Sequence, residues 1–394
     1  MKDLILITNA FPYGKREEFL ENEIEYLSDN FDKIIIIPIE TTGKSRDIPR
    51  NCHVLIGKNN AKLDFIKSVG WKSIIFEAIF RAQLSPKKIN HILSYIRKSS
   101  YIYNIIDSIP DKSNYVGYSY WLNACAFSMI GIKEIDYKVS RSHRYDLYDY
   151  ASETKYQPFQ GLLLSYLDKV FPCSNDGSEY LKNRHPKNSS KIKTSYLGTK
   201  SFEIEYDLGY KKDSTINIVS CSSMISVKRV PLIASALKLL SKKGVKFNWV
   251  HFGDGSEMNE VIDIIHGMDN CTMMGHVENS QVLEFYRKEK VDLFINVSES
   301  EGIPVSIMEA MSFGTPVLAT NVGGVSEIIS EQEGSLLNPC ITDVELCDAI
   351  YKTISQKNTL NEKRRSAKSR WESSFSARNN YTIFARNLKD SNNE

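Results

Sequence analysis

The chain has 394 residues, a length that suggests two domains rather than one. Apolar residues make up 42% and charged residues 25%, an ordinary soluble globular balance, and a formal net charge of +2 excludes a global field drawing the molecule to nucleic acid. The cysteines, Cys52, Cys125, Cys173, Cys221, Cys271, Cys340 and Cys347, are odd in number, widely spaced and free of any C-x-x-C pair, which excludes a disulfide framework or a zinc site and fits a reducing compartment.

The N-terminal MKDLILITNAF carries Asp3 and an apolar run too short for a signal peptide, so a cytoplasmic protein is expected. LILIT (4–8) is predicted as a buried strand, EEFLENEIEYL as a helix and KIIIIPI (33–39) as a second buried strand. That order makes a βαβ unit. Uninterrupted β-branched runs predict parallel strands covered on both faces.

Residues 58–104 differ in character. Lys58, Lys62, Lys67, Lys72, Arg81, Lys87, Lys88, Arg97 and Lys98 face only Asp64 and Glu77, while Trp71, Ile74, Ile75, Ala78 and Ile79 recur at helical spacing. Two readings stay open: a core-facing helix with a solvated basic back, or a basic amphipathic helix lying on an anionic membrane, which would make the protein peripheral at the inner face of the cell membrane. Residues 114–132 carry no charge, but Asn114, Ser119, Asn123 and Ser128 interrupt the run. A buried strand near Tyr115–Tyr118, a turn and a buried helix are expected there rather than a membrane span.

KVSRSHR (138–144) and KVFPCS (169–174) read as further strands. The turn-rich stretch 198–215 suggests a domain boundary, giving a first domain over 1–200 and a second over 201–374. The terminal DSNNE is expected to be disordered. In the second half, strands are predicted at INIVSCSS (216–223), FNWVHFG, CTMMGH and VDLFINVS (291–298). Helices are predicted at VPLIASALKLLSKKG, closed by Gly244, at SEMNEVIDIIHGM and at NSQVLEFYRKEK. The fold class is α/β: two doubly wound, Rossmann-like domains facing a cleft, with ligands bound outside the carboxyl ends of the strands.

The most informative stretch is SESEGIPVSIMEAMSFGTPVLATNVGGVSEIISE (298–331). A strand is read as ending at Ser298. Pro304 suits the first turn of the next helix, and Gly314 suits its left-handed cap. Glu301 then lies in a loop at a strand's carboxyl end and Glu309 in the second helical turn. The helix N-terminus is a ready phosphate site, and carboxylates on either side would accept hydrogen bonds from sugar and ribose hydroxyls. On the residues alone, two glutamates on a solvated face are the favoured reading.

This stretch resembles the signature of retaining glycosyltransferases of the GT-B fold, family 4 (glycosyl transferases group 1): two glutamates separated by seven residues, then an A-M-x-x-G-x-P-V run and G-G. The resemblance implies that Glu301 contacts donor-sugar hydroxyls and Glu309 ribose hydroxyls. Gly302, Ile303, Pro304, Val305 and Ser306 would line sugar and distal phosphate, largely by backbone. Pro304 stands where the family often has glycine. SCSSMISVKRVPLIASALKLL resembles the family's phosphate loop: Lys228 matches its lysine, Ser223 stands where an arginine is expected, and Arg229 is the neighbour that could replace it. HFGDGSE, with Gly253, resembles the family's G-D-G loop, and GHV (275–277) matches the segment whose backbone flanks the base, which implies that role for His276 and Val277. In the first half, Gly14 in TNAFPYGKREEFLENEI would lie near donor phosphate and acceptor, and His143 in SRSHRYDLYDY near the donor sugar. WESSFSARNNYTIF resembles the closing helix (375–390) that returns to the first domain.

The activity implied is transfer of a sugar from a nucleotide sugar to an acceptor hydroxyl, on a lipid-linked or polysaccharide glycan acceptor in bacterial surface glycan biosynthesis. The resemblance implies no cofactor and no metal, and the lack of a D-x-D pair is consistent with that. A non-catalytic GT-B-like binding subunit of a glycan-assembly complex is the alternative, kept open by Ser223. A different nucleotide-sugar enzyme of related fold, such as an epimerase, is a third.

Overall fold

A computed structural model describes residues 2–14, 17, 19–57, 63–205 and 215–389. The expectations for Lys58 and Lys62, for 206–214 of the linker stretch and for DSNNE fall outside the described residues. The chain divides into two compact units. The first comprises Met1–Tyr196 with Asn380–Glu394 and the second Leu197–Asn379.

The first unit is built on six parallel strands: β1 (Asp3–Thr8), β2 (Ile34–Pro38), β3 (Cys52–Val54), β4 (Tyr115–Ser119), β5 (Tyr137–Ser142) and β6 (Lys169–Pro172), in the order β3-β2-β1-β4-β5-β6. The isoleucine runs are buried because both faces are covered. Leu4, Leu6, Ile34, Ile36, Val116 and Tyr118 enter one core cluster, and Ile5, Ile7, Ile35 and Ile37 enter the other. The C-terminal segment closes the first cluster with Phe384, Ala385 and Leu388. There the Arg141 guanidinium lies 3.8 Å from the centre of the Phe384 ring and pairs with the buried Glu23 at 3.0 Å.

Three details depart from the sequence reading. The short edge strand β3 has no period long enough to be predicted. β5 stops at Ser142, so His143 lies just beyond the strand and caps the short helix Arg144–Leu147. The basic stretch is four pieces, the helices Leu63–Val69, Trp71–Phe76 and Pro86–Asp107 and a π-helical turn Glu77–Arg81, rather than one helix. The uncharged stretch is the buried strand β4 followed by the buried helix Ala124–Phe127. No helix among the described residues is long and apolar enough to cross a membrane.

The second unit repeats the plan with β7 (Ile216–Cys221), β8 (Phe247–Phe252), β9 (Cys271–Met273), β10 (Leu293–Asn296), β11 (Val317–Thr320) and β12 (Gly334–Leu337). All pairs are parallel and the order is β12-β11-β10-β7-β8-β9. Ile218, Trp249, Leu293 and Ile295 pack under the helices Val230–Lys242 and Asp343–Ser355. β10 ends at Asn296, two residues before the predicted limit. Pro304, with φ −76° and ψ 108°, is extended backbone just before the helix Val305–Ser312, not a residue of its first turn.

In each sheet the strand order reverses beside the first strand, between β1 and β4 and between β7 and β10. At such a switch point the loops leaving neighbouring strands diverge to opposite faces and open a crevice at the strand ends.

Candidate active site

The second unit's crevice is lined by the loops after β7 and β10. The first runs through Ser222–Arg229 and the second through Val297–Pro304. A backbone bond from Glu299 N–H to Val227 O (2.8 Å) ties them together. This brings Lys228 to Glu301: Nζ donates to Oε1 at 2.7 Å. Asn296 Nδ2 donates to the same oxygen at 3.2 Å. Glu301 is almost fully buried, so its charge is held by these two donors rather than by water. Gly302, Ile303, Pro304 and Val305 are buried along the same edge, and Ser306 is half-buried.

Arg229 begins the next helix in a left-handed conformation (φ 51°), and its Nε donates to Val297 O at 2.6 Å. Its Nη2 is buried with no hydrogen-bond partner among the described residues. Ser223, in the expected arginine position, is exposed. The guanidinium therefore reaches the end of β10 from a position six residues later.

Glu309, also buried, sits one turn into the helix Val305–Ser312 and accepts a hydrogen bond from Asn279 Nδ2 at 2.8 Å. Asn279 opens the helix Asn279–Lys288, two residues after Val277. The bond thus brings Glu309 to the segment expected to flank a base; His276 is exposed and Val277 half-buried.

Two glycines are explained by close backbone approach. At Gly323 (φ 51°) an added Cβ would come within 2.1 Å of Glu301 O, and Gly324 N–H donates to Gly302 O at 2.8 Å. The paired glycine therefore braces the loop that presents Glu301. At Gly253 (φ 137°) a Cβ would meet Ser222 O at 1.8 Å, so the G-D-G loop lies flat against the loop after β7. Beneath them His251 is pinned: Ser220 Oγ contacts Nδ1 at 2.8 Å, and Nε2 lies 3.1 Å from Ser222 O. The carbonyl can only accept, so Nε2 carries the proton and Nδ1 accepts from the hydroxyl. Burial holds this imidazole down at about 4.

The first unit gathers a separate cluster at its own switch point. Gly14 takes φ 65° in the loop after β1. Glu17 clamps that loop: its carboxylate accepts the N–H groups of Asn9 (2.9 Å), Ala10 (2.7 Å) and Phe11 (2.5 Å) and the indole N–H of Trp121 (2.5 Å). The Trp121 ring lies 4.6 Å from His143, and Tyr120 lies 4.7 Å away on the same imidazole. Both His143 ring nitrogens are buried without a partner among the described residues, and burial, with Arg141 nearby, lowers its pKa to about 3. A neutral imidazole with both nitrogens unused can donate one hydrogen bond and accept another. Asp146 fixes its backbone, accepting the N–H groups of His143 and Leu122 at 2.6 Å each.

Sequence reasoning does not single out Glu17, Trp121, Asn279 or Asn296. Glu17 reads there only as part of a helix. The signal that could find the asparagines is weak: a polar side chain just past a strand or at a helix start. Among the described residues no three His, Cys, Asp or Glu side chains cluster as metal ligands.

Lys228, Arg229, Gly253, His276, Val277, Glu301 and Glu309 fall inside one recognised region. Residues 208–370 match the family described as Glycosyl transferases group 1. Across the whole chain the fold is GT-B. HepE of Anabaena, solved in complex with UDP, superposes on 99% of this chain and 100% of its own with a TM-score of 0.68 at 16% identity. The sulfoquinovosyl transferase SQD2 of Arabidopsis thaliana is 30% identical over 131 residues, 32% of this chain and 24% of that protein. The O-antigen biosynthesis glycosyltransferase WbnH of Escherichia coli is 32% identical over 117 residues, 30% of this chain and 32% of its own. The matched stretch spans about a quarter to a third of the length of these curated relatives. The group 1 region holds the Lys228–Glu301 pair, Glu309 and the bracing glycines together.

Proposed function

We propose that the protein is a retaining, metal-independent glycosyltransferase of family 4 that moves a sugar from a nucleoside diphosphate sugar to an acceptor hydroxyl. The observation that carries this reading is the meeting of Lys228 and Glu301 at the switch point, beside the N-terminus of the helix Val305–Ser312. Cation and helix N-terminus suit a diphosphate, and the carboxylate suits the hydroxyls of the sugar attached to it. Lys228 and Arg229 stabilise the departing diphosphate, with Arg229 Nη2 replacing the arginine absent at Ser223. Glu309 takes the ribose hydroxyls. Gly302–Ser306 contact sugar and distal phosphate, and Gly253, His276 and Val277 flank the nucleotide. By the family resemblance, Gly14 serves donor phosphate and acceptor, and the neutral His143 serves the donor sugar.

In the step, the bond from the anomeric carbon to the diphosphate oxygen breaks. A bond to the acceptor oxygen forms on the same face, and the acceptor proton passes to the departing diphosphate. The demand is charge stabilisation at the leaving group, met by preorganised cations rather than a protein base. The relation to an O-antigen biosynthesis enzyme supports a lipid-linked or polysaccharide acceptor in surface glycan assembly and a cytoplasmic site of action.

The test is turnover of UDP-, GDP- and ADP-sugars with a glycan acceptor, with and without EDTA, reading the anomeric configuration of the product by NMR. Inversion or EDTA sensitivity overturns the corresponding part. Nucleotide binding without turnover of any donor favours the non-catalytic binding role, the reading that the exposed Ser223 supports.

A further inference from the structure

The basic stretch carries an exposed apolar ridge. Trp71, Ile75, Phe76, Ile79, Phe80 and Leu84 are 57%, 53%, 55%, 45%, 66% and 64% exposed. The expected stripe of Trp71, Ile74, Ile75, Ala78 and Ile79 is therefore split: Ile74 and Ala78 pack on the core, and the other three face outward with the two phenylalanines. The split follows ordinary helical spacing: Ile74 and Ala78, four apart, share the inner face, and Ile75 and Ile79, four apart, share the outer one. Phe76 and Phe80, also four apart, lie side by side with ring centres 5.0 Å apart, and Glu77, which opens the π-helical turn, points inward. Glu77 is buried and accepts hydrogen bonds from the Tyr156 hydroxyl and from Phe159 N–H at 2.8 Å, anchoring the underside of the ridge. Gln83 and Leu84 then adopt successive left-handed conformations (φ 52° and 53°), a strained turn that leaves Leu84 outside.

Along this stretch of chain the charges are nearly all of one sign. Between residues 65 and 104 the basic side chains are Lys67, Lys72, Arg81, Lys87, Lys88, Arg97 and Lys98, and the only acidic one is the buried Glu77. Lys72, Arg81, Lys87 and Arg97 are exposed and make no ion pair among the described residues. Lys72 and Arg81 also line a cavity of about 630 Å³ with Phe76, Ser165, His185 and the Glu77 carboxylate, which is engaged by Tyr156 and Phe159.

We propose that this surface docks on an anionic lipid bilayer: the ridge enters the interface, and Lys72 and Arg81 draw a lipid phosphate into the cavity mouth. Charge complementarity selects this occupant. An apolar face rimmed by unpaired cations, with Trp71 at its edge, matches the apolar–polar gradient of an anionic membrane surface. A second copy of the chain would set these cations against each other. The inference stands apart from the sugar-transfer reading and is tested without turnover.

The full chain is floated with vesicles of phosphatidylcholine alone and of phosphatidylcholine with phosphatidylglycerol, at low and high salt. Binding is expected with the anionic vesicles only and should weaken with salt. At roughly fivefold per cation, Lys72→Gln with Arg81→Gln should reduce it about twenty-five-fold. Phe76→Ser with Phe80→Ser should abolish it, while Lys238→Gln with Lys242→Gln, in the second unit, leaves it unchanged. These side chains are exposed, so melting temperatures should hold and misfolding is detectable. Wild-type protein that stays unbound, or ridge variants that bind as well as wild type, overturn the proposal. So does a wild-type dimer that the phenylalanine pair dissociates, which would assign the ridge to a second copy.

Discussion

Lys228 and Glu301, 73 positions apart in the chain, meet at 2.7 Å across the crevice between β7 and β10. In the free protein each neutralises the other, so under the proposed function a bound diphosphate sugar would draw Lys228 toward phosphate and leave Glu301 to sugar hydroxyls. The pair is thus a preset geometry for two ligand groups of opposite character. Substituting Lys228→Met should lower kcat about 10²–10³-fold, as for loss of one preorganised transition-state donor. It should also destabilise the nucleotide-free protein by ~1–3 kcal/mol, because buried Glu301 keeps Asn296 alone as donor. Steady-state kinetics and denaturant melts check both.

Glu309 should decide nucleotide affinity. A ligand at one hundred times its Kd stabilises the native state by about 2.7 kcal/mol, which a melting curve resolves. One of UDP, GDP or ADP should raise the melting temperature of wild type, and Glu309→Gln should remove the shift. Asn279→Ala frees the Glu309 carboxylate from its 2.8 Å anchor and should reduce the shift without abolishing it.

The carboxylate of Glu17 faces four N–H donors, and glutamine offers only one carbonyl oxygen. Glu17→Gln therefore leaves at least one buried donor unmatched, at a cost of ~1–3 kcal/mol. The denaturant midpoint should fall accordingly. If the clamp also positions the Gly14 loop, KM should rise more than kcat falls.

His251 should make the protein acid-sensitive. Its pKa is about 4 in the fold and 6.5 ordinarily, so below pH 6.5 the unfolded chain takes up a proton that the folded chain refuses. Stability contributed by the neutral imidazole is complete above pH 6.5 and is lost as pH falls toward 4, at up to about 1.4 kcal/mol per pH unit. His143 acts in the same direction, and Asp146, raised to about 7 by burial, acts against it. The measurement is the difference in slope between wild type and His251→Gln across that window; identical slopes would reject the assignment.

Gly323→Ala should behave as a site mutation rather than a core one. The added methyl meets Glu301 O at 2.1 Å, so the loop carrying Glu301 must move. Donor turnover should drop by an order of magnitude or more, since loss of an interaction worth about 1.4 kcal/mol already costs tenfold, while the unfolding transition stays cooperative.

Much of the second unit is legible in the sequence because its information is local. A strand, a loop with Glu301, a proline and a helix with Glu309 follow one another within a short stretch, and the periods of strand and helix place them. Lys228 is legible only by resemblance, and its partner only after folding. Glu17 shows the limit: in the chain it is one acid among several before an amphipathic helix, yet in the fold it gathers one loop and an indole 104 positions away. The ridge shows another. Helical spacing suggests one stripe of Trp71, Ile74, Ile75, Ala78 and Ile79, but only Ile74 and Ala78 find the core and the other three face outward.

The sequence by itself determined the α/β class, the alternation of buried parallel strands and helices, and the loops that would carry chemistry, because burial period and turn residues act within a few positions. The tertiary structure decided which side chains meet: Lys228 with Glu301, Glu309 with Asn279, Glu17 with Trp121, and Gly323 against the Glu301 backbone. Those meetings depend on strand order, and strand order is set by the packing of whole faces, which no short stretch of sequence contains.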